Sequence, residues 1–264
     1  MVFQKRKQKI LQVLEQEGDA DIHQLAVLLG TSEITIRRDL NRMAADGMVY
    51  RTHGGATKVD PLAGFKFENK AAVNQKAKDE ICRRAAAEIR DGDIIFMDCG
   101  STVYRLCQFI RNKKIKVITN SLPVVFELHN SQVSINLIGG EVDHDRQAVH
   151  GSMAEEHIAS YRATKAFLGV DGISINGLFA QSEKEASNTL AMARQSEQTY
   201  ILCDSSKMGR ESYLNFAELD LINTIITDYN GAEVGSFKEK GINVIAVKQT
   251  ATPIPCSPFG PAPC

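Results

Sequence analysis

From residue 74 onward the sequence alternates short β-branched runs with longer stretches of helical periodicity. This alternation restricts the fold more than any other feature. The runs fall at 94–98, 116–119, 133–138, 166–170, 200–203 and 223–227, and the helical stretches at 74–90, 102–111, 123–129, 153–161, 183–196 and 232–240. Strand and helix in regular turn predict an α/β domain with a mostly parallel sheet over residues 74–248. No internal repeat is visible.

The first 57 residues follow a different rule. An apolar face of Ile10, Leu11 and Leu14 predicts a helix over 4–17, ended by Gly18. Asp21 stands where an N-cap belongs, with Gln24 three residues on as its capping-box partner, and Ile22, Leu25, Ala26 and Leu29 give the second helix its stripe. Gly30 stops that helix, Thr31 bridges, and Ser32 caps a third helix running to about Asp46, closed by Gly47. Residues 48–56 then read as a short strand and a Gly-Gly turn. Short helices joined by a three-residue turn and followed by a hairpin outline a winged helix-turn-helix over 1–57.

Between the two regions, 58–73 lacks clear periodicity, carries Pro61 and Gly64, and reads as a linker with room for one short strand. The last sixteen residues, 249–264, hold five of the seven prolines, so they are expected to be extended or disordered. No run approaches the ~18 apolar residues of a membrane span, and the cationic N-terminus is not followed by an apolar signal core. A cytoplasmic protein with no membrane association is expected. Six single cysteines, at 82, 99, 107, 203, 256 and 264, form no CxxC pair and suggest neither a disulfide frame nor a metal site. No cofactor is called for.

In the third helix Ile36, Leu40 and Met43 recur at core spacing. The opposite side carries Thr35, Arg38 and Arg42 on one line, with Arg37 and Asn41 beside it. A helix with such a face suits the major groove: Arg can bridge guanine or clamp phosphate, Asn can pair with adenine, and the Thr methyl can touch thymine. Arg51 and His53 on the hairpin are placed to reach phosphate or the minor groove. Charge alone does not decide the matter. Residues 1–56 hold eight Lys/Arg against seven Asp/Glu, and the whole chain has a formal net charge of -1, so an ordinary solvated helix fits the charge equally well.

In the larger region the apolar run ending at Asp98 leads into Cys99-Gly100-Ser101-Thr102 and then a helix. Free backbone N–H groups, two hydroxyls and a helix N-terminus suit a phosphate, though Ser and Thr are also plain N-caps. Four more strand ends carry polar groups: Thr119-Asn120-Ser121, Gly139-Gly140, Gly169-Val170-Asp171-Gly172 and Asp204-Ser205-Ser206-Lys207. Ligands of open parallel sheets sit beyond the carboxyl ends of strands. Each of these ends also has a plain reading as a cap, turn or solvated surface.

Two strings of residues carry a family resemblance. Thr31-Ser32-Glu33-Ile34-Thr35-Ile36-Arg37-Arg38-Asp39-Leu40, with Leu25-Ala26 before it and Arg51-Thr52-His53-Gly54-Gly55-Ala56 after it, resembles the N-terminal signature of the DeoR family of bacterial transcriptional regulators. Asp98-x-Gly-Ser-Thr102, Thr119-Asn120, Gly139-Gly140, Gly169-x-Asp171-Gly172 and Asp204-Ser205-Ser206-Lys207-x-Gly209 resemble that family's C-terminal sensor domain, itself similar in fold to ribose-5-phosphate isomerase. The resemblance implies that Ser32 to Arg42 is the recognition helix and that a homo-oligomer, dimer or tetramer, binds double-stranded operator DNA. It further implies a phosphorylated sugar as effector, with Gly100, Ser101 and Thr102 at the phosphate and Asp98, Asn120, Asp171 and Lys207 around the sugar. Such a chain is a repressor of a carbohydrate-metabolism operon. Phe179-Ala180-Gln181 departs from the pattern, since members usually carry Thr or Ser there.

An active sugar-phosphate isomerase or deaminase is the rival reading. Isomerisation needs a carboxylate base, and the isomerases resembled here carry Asp-Gly-Ala-Asp-Glu at this strand end. This chain has Asp171-Gly172-Ile173-Ser174-Ile175, without the acidic pair. Glu183 or Glu185 would have to substitute, and both read as first-turn helix residues. A third possibility is a constitutive DNA-binding protein whose α/β domain only dimerises.

Overall fold

A computed structural model of the chain describes residues 3–45, 48–51, 54–58 and 67–248. The Pro-rich tail, His53 and half of the expected linker, residues 59–66, lie outside the described residues.

The smaller unit comprises α1 (Phe3–Glu17), β1 (Asp19–Asp21), α2 (Ile22–Leu29), α3 (Glu33–Ala45), β2 (Val49–Arg51) and β3 (Gly55–Lys58). Its core gathers Ile10 and Leu14 from α1, Leu25 and Leu29 from α2, Ile36, Leu40 and Met43 from α3, and Val49 from β2. The apolar stripes read from the sequence are those buried, except that Leu11 is only partly buried and Val13 joins the core on α1. Asp21 caps α2 by accepting from the Gln24 N–H at 2.7 Å. The reciprocal half of the capping box is absent: the Gln24 amide donates to Glu17 Oε2 instead, pinning α2 to the end of α1. Gly30 ends α2 in the left-handed conformation (φ 59), with its N–H on the Ala26 and Val27 carbonyls. β1 was not expected, because Asp-Ala-Asp has no strand preference. It forms as the outer strand of a sheet ordered β1-β3-β2.

The larger unit opens with α4 (Phe67–Ala72), which occupies part of the segment read as linker, and α5 (Gln75–Ala86). Then come β4 (Ile94–Met97), α6 (Ser101–Tyr104), α7 (Cys107–Ile110), β5 (Lys116–Thr119), α8 (Leu122–Leu128) and β6 (Ser134–Leu137). A ribbon of β7 (Glu141–Asp143) and β8 (Ala148–His150) leads into α9 (Ser152–Ala159) and β9 (Ala163–Leu168). β10 (Gly172–Ser174), β11 (Gly177–Ala180), α10 (Glu183–Arg194) and β12 (Ser196–Leu202) follow. The chain ends its described course with β13 (Leu214–Ala217), β14 (Thr224–Thr227), α11 (Glu233–Glu239) and β15 (Asn243–Ala246).

Seven strands, in the order β15-β14-β12-β9-β4-β5-β6, make one sheet, and every neighbouring pair in it is parallel. Successive residues of β4 serve opposite faces: Phe96 enters the cluster on one side, and Ile95 and Met97 the cluster on the other. Both faces are therefore covered, which explains the unbroken apolar runs. From β4 the chain winds outward through β5 and β6; from β9 it winds the opposite way through β12, β14 and β15. The winding direction reverses between β4 and β9, and a doubly wound sheet opens its ligand crevice at the carboxyl ends beside such a reversal.

Among the described residues no helix is long and apolar enough to cross a membrane.

Candidate functional sites

The exposed side of α3 is assembled by burying its opposite side. Asp39 is 3% exposed, and its carboxylate takes both Nε (2.5 Å) and Nη2 (3.1 Å) of Arg6 on α1. This pair fixes how α3 sits on α1, so the acid of the Arg37-Arg38-Asp39 string is a positioning group and not a base reader. Arg37, Arg38, Asn41 and Arg42 all lie on the exposed side. Arg37 pairs with Glu33 at 3.6 Å in solvent, an attraction worth little. The Arg42 guanidinium stacks 4.4 Å above the Phe3 ring, which orients it. Ser32 accepts from the Thr35 N–H at 3.3 Å, and the two hydroxyls lie 3.0 Å apart at the start of α3. Sequence reasoning passed over Ile34, which is 80% exposed in the first turn of α3. An apolar side chain left in water on this face is the feature that marked it. The Arg51 side chain and His53 lie outside the described residues.

At the reversal point Asp98 follows β4 and Gly169 follows β9. The buried Asp98 carboxylate accepts from the Gly100 N–H (2.8 Å) with one oxygen and from the Gly169 N–H (2.7 Å) with the other. It clamps the two strand-end turns together. A Cβ on Gly100 would stand 2.9 Å from Asp98 Oδ1 and 3.2 Å from Gly169 Cα, so glycine is needed for this close approach. Burial pushes the Asp98 carboxyl up to about 7, against the pull of the two N–H groups.

Beyond these turns lies a cavity of about 460 Å³. Of the residues singled out in the sequence, Asp98, Gly100, Ser101, Thr102, Asp171 and Lys207 line it. Asn120, Gly139, Gly140 and Gly172 do not. Asn120 is buried and donates to the Val149 carbonyl at 3.0 Å. The Gly139 N–H donates to His157 Nδ1. A Cβ on Gly140 would meet the His150 carbonyl at 2.8 Å, and one on Gly172 the Arg210 carbonyl at 2.2 Å. These glycines permit close backbone packing beneath the site.

The structure adds Lys70, Lys78, Arg146 and Arg210 to the wall. Lys78, 4% exposed, donates to the Lys70 carbonyl (2.6 Å) and to Ser101 Oγ (3.2 Å). Burial lowers its ammonium to about 8, although Asp204 works to keep it charged. A signal for it existed, because Lys78 falls on the α5 stripe of Ala77, Ile81, Cys82 and Ala85. Lys70 carried no such signal. It reaches Asp171 at 3.1 Å, whose other oxygen takes the Gln181 N–H at 3.0 Å. Burial drives the Asp171 carboxyl up, but Lys70 and Lys207 outweigh it and hold it below the usual carboxylate range. Burial likewise lowers the Lys207 ammonium, with Asp171 opposing. The expected helix over 102–111 is broken into α6 and α7, and α6 has only four residues. Its dipole is correspondingly short, and the positive charge beside Ser101 comes from Lys78.

No carboxylate replaces the missing acidic pair. Ile173 is buried, Ser174 donates to Glu211 at 2.9 Å, and Ile175 is exposed. Ala180 of the divergent Phe179-Ala180-Gln181 string turns a methyl toward the cavity, while Phe179 is buried in β11. Among the described residues no group of His, Cys, Asp and Glu is arranged to hold a metal ion.

A helix-turn-helix unit followed by an α/β unit with a cation-lined cavity at its winding reversal is the organisation of a ligand-responsive transcription factor. Comparison with known proteins bears this out at both ends. Residues 6–61 match the family described as DeoR-like helix-turn-helix domain, and residues 73–229 match the DeoR C terminal sensor domain. The chain belongs to the DeoR family of transcriptional regulators. It is 36% identical to the lactose phosphotransferase system repressor of Lactococcus lactis subsp. lactis, over 85% of this chain and 90% of the relative. It is 31% identical to the HTH-type transcriptional repressor GlcR of Bacillus subtilis (strain 168), over 94% of this chain and 98% of the relative. Among solved structures, ribose 5-phosphate isomerase A from Neisseria gonorrhoeae is similar at 16% identity and a TM-score of 0.38, over 50% of this chain and 52% of that one. The family is one of regulators, and the rival enzymatic reading has no support from the relatives.

Proposed function

We propose that this chain is a cytoplasmic repressor of a carbohydrate-metabolism operon that binds operator DNA as a homo-oligomer, dimer or tetramer, and responds to a phosphorylated sugar. The observation that carries the reading is the juxtaposition, in one cavity, of the Gly100–Ser101–Thr102 turn with Lys78 and Lys207. Hydroxyls and ammonium groups at one wall suit a phosphate, while Asp171 and Gln181 at another offer partners for sugar hydroxyls. Two relatives named as repressors, one of them of a lactose phosphotransferase system, support a carbohydrate operon. On the DNA side, Arg37, Arg38, Asn41, Arg42, Thr35 and Ser32 present the reading face, with Arg51 and His53 assigned to the hairpin. Pairing of such faces by oligomerisation matches the repeated half-sites of helix-turn-helix operators.

The test is a thermal-shift screen of the full chain against phosphorylated sugars, repeated with Lys207→Met, alongside selection of a duplex from a random pool. A sugar phosphate is expected to stabilise the parent and not the variant, and to change its affinity for the selected duplex. Arg38→Ala should weaken the duplex by about 1–3 kcal/mol and leave the sugar-phosphate shift intact. Conversion of the bound sugar phosphate to a product by the protein would replace this reading with an enzymatic one.

A further inference from the structure

The wall of the cavity includes the very segment that joins the two units. α4 is where the chain enters the larger unit after the hairpin, and it lies beside β2. Two of its anchors involve groups that a ligand would also want. The Lys78 ammonium binds the Lys70 main-chain carbonyl at 2.6 Å while touching Ser101 Oγ at 3.2 Å. The Lys70 ammonium binds Asp171 at 3.1 Å. Phe67 packs edge-to-face on Tyr104, with ring centroids 5.3 Å apart, and its N–H donates to the Asp145 carbonyl.

We propose that the anionic group of the ligand and the main chain of α4 compete for the Lys78 ammonium, so that ligand binding loosens α4 from the cavity and alters the tether of the DNA-reading unit. The inference rests on the phosphorylated-ligand reading above and adds its coupling. A phosphate oxygen beside Ser101 is an ionic acceptor and attracts the ammonium more strongly than a neutral carbonyl does, drawing it away from Lys70. A sugar hydroxyl donating to Asp171 weakens the second anchor in the same event. Six residues of helix do not persist in water by themselves, so α4 depends on these anchors for its structure. The ligand shifts the equilibrium only by its preference for the released state, and Lys78 supplies that preference when its ammonium turns from the Lys70 carbonyl toward the anion.

Hydrogen exchange on the full chain tests this, with inorganic phosphate and glucose 6-phosphate as probes against chloride of equal ionic strength. Either probe is expected to slow exchange at residues 98–103 and to speed it at residues 67–72. Lys78→Met should show fast exchange at 67–72 without any probe and bind both probes about tenfold or more weakly. Phe67→Ala changes no charge and removes the ring contact with Tyr104. It should therefore bind both probes more tightly than the parent. Slowed exchange at 98–103 with α4 unchanged, or Phe67→Ala binding no more tightly, overturns the competition while leaving the phosphate reading intact. If neither probe affects 98–103, both fall.

Discussion

The second glycine of the Gly54-Gly55 pair offers the sharpest test of the smaller unit. β3 pairs with β1 so that Gly55 lies opposite Asp21, and a Cβ built on Gly55 would stand 2.0 Å from the Ala20 carbonyl oxygen and 2.8 Å from Asp21 Cα. Ordinary contact is well over 3 Å, so β1 or β3 must move by more than about 1 Å, and neither obstacle is a side chain that can swing away. Forced shifts of packed backbone sit at the upper end of overpacking costs, about 3 kcal/mol, which corresponds to roughly a 150-fold change in an opening equilibrium. A unit of this size has only about 3–8 kcal/mol to lose. The substitution also threatens the Ile22 N–H to Gly54 carbonyl bond (2.9 Å) that seats the start of α2. Gly54→Ala is the control, since a Cβ there meets nothing within 4 Å. Measured by hydrogen exchange on the full chain, Gly55→Ala should speed the α2 and α3 amides by about two orders of magnitude, with the larger unit unchanged and Gly54→Ala close to the parent. Equal behaviour of the two variants would refute the steric argument.

Two further predictions concern titration. Burial holds the folded Asp98 carboxyl near 7, above the ~3.9 of an unfolded aspartate. The folded state therefore keeps this proton longer, and the position's contribution to stability declines as pH rises from about 4 to about 7. Thermal melts at the two ends of that window should show the parent losing ground to Asp98→Asn at the higher pH; an offset that does not change with pH would exclude the effect. Lys78 is the opposite case, its ammonium lowered to about 8 among Asp204, Lys207, Lys70 and Arg105. As pH rises from 8 toward ~10.5 the folded state gives up this proton first, so the penalty of burying the charge fades and the unliganded protein gains stability. Phosphate affinity should fall over the same rise. Calorimetry should find that fall in the parent and not in Lys78→Met, and an identical pH profile in both would remove Lys78 from the binding site.

What the sequence disclosed and what it withheld divide along physical lines. Caps and stops are local chemistry, so Asp21, Gly30 and Ser32 were readable as they stand. The β-branched runs announced six of the seven strands of the main sheet; β15, four residues long, was passed over. β1 and the ribbons of β7, β8, β10, β11 and β13 were invisible because their residues have little strand preference and are held by their partners. The same distinction governs the cavity. Ser101, Asp171 and Lys207 sit at strand ends, where the fold rule points. Lys70 and Arg146 reach the cavity from segments without periodicity, and only tertiary packing brings them there.

The cavity's carboxylates are engaged chiefly with the protein's own groups. Asp98 spends both oxygens on backbone N–H groups. Asp171 is divided between Lys70 and the Gln181 N–H, and one oxygen of Asp204, Oδ1, accepts from Asn74 and from the Ser206 N–H and hydroxyl. Of the two candidate substitutes for a base, Glu185 lines the cavity and is paired with Arg146, while Glu183 does not line it. A general base must approach a substrate proton with an uncommitted lone pair and a pKa near the working pH. Here the carboxyl raised toward that range, Asp98, is the one clamped between two turns, and the one facing Lys70 and Lys207 is held acidic. These acids hold Lys70 and the strand-end turns in place. Positions 174 and 175, which match the carboxylates of the isomerase string, hold a serine bonded to Glu211 and an exposed isoleucine. An acid placed at 174 alone would not face a ligand, because Ser174 is bonded to Glu211 and lies outside the cavity lining.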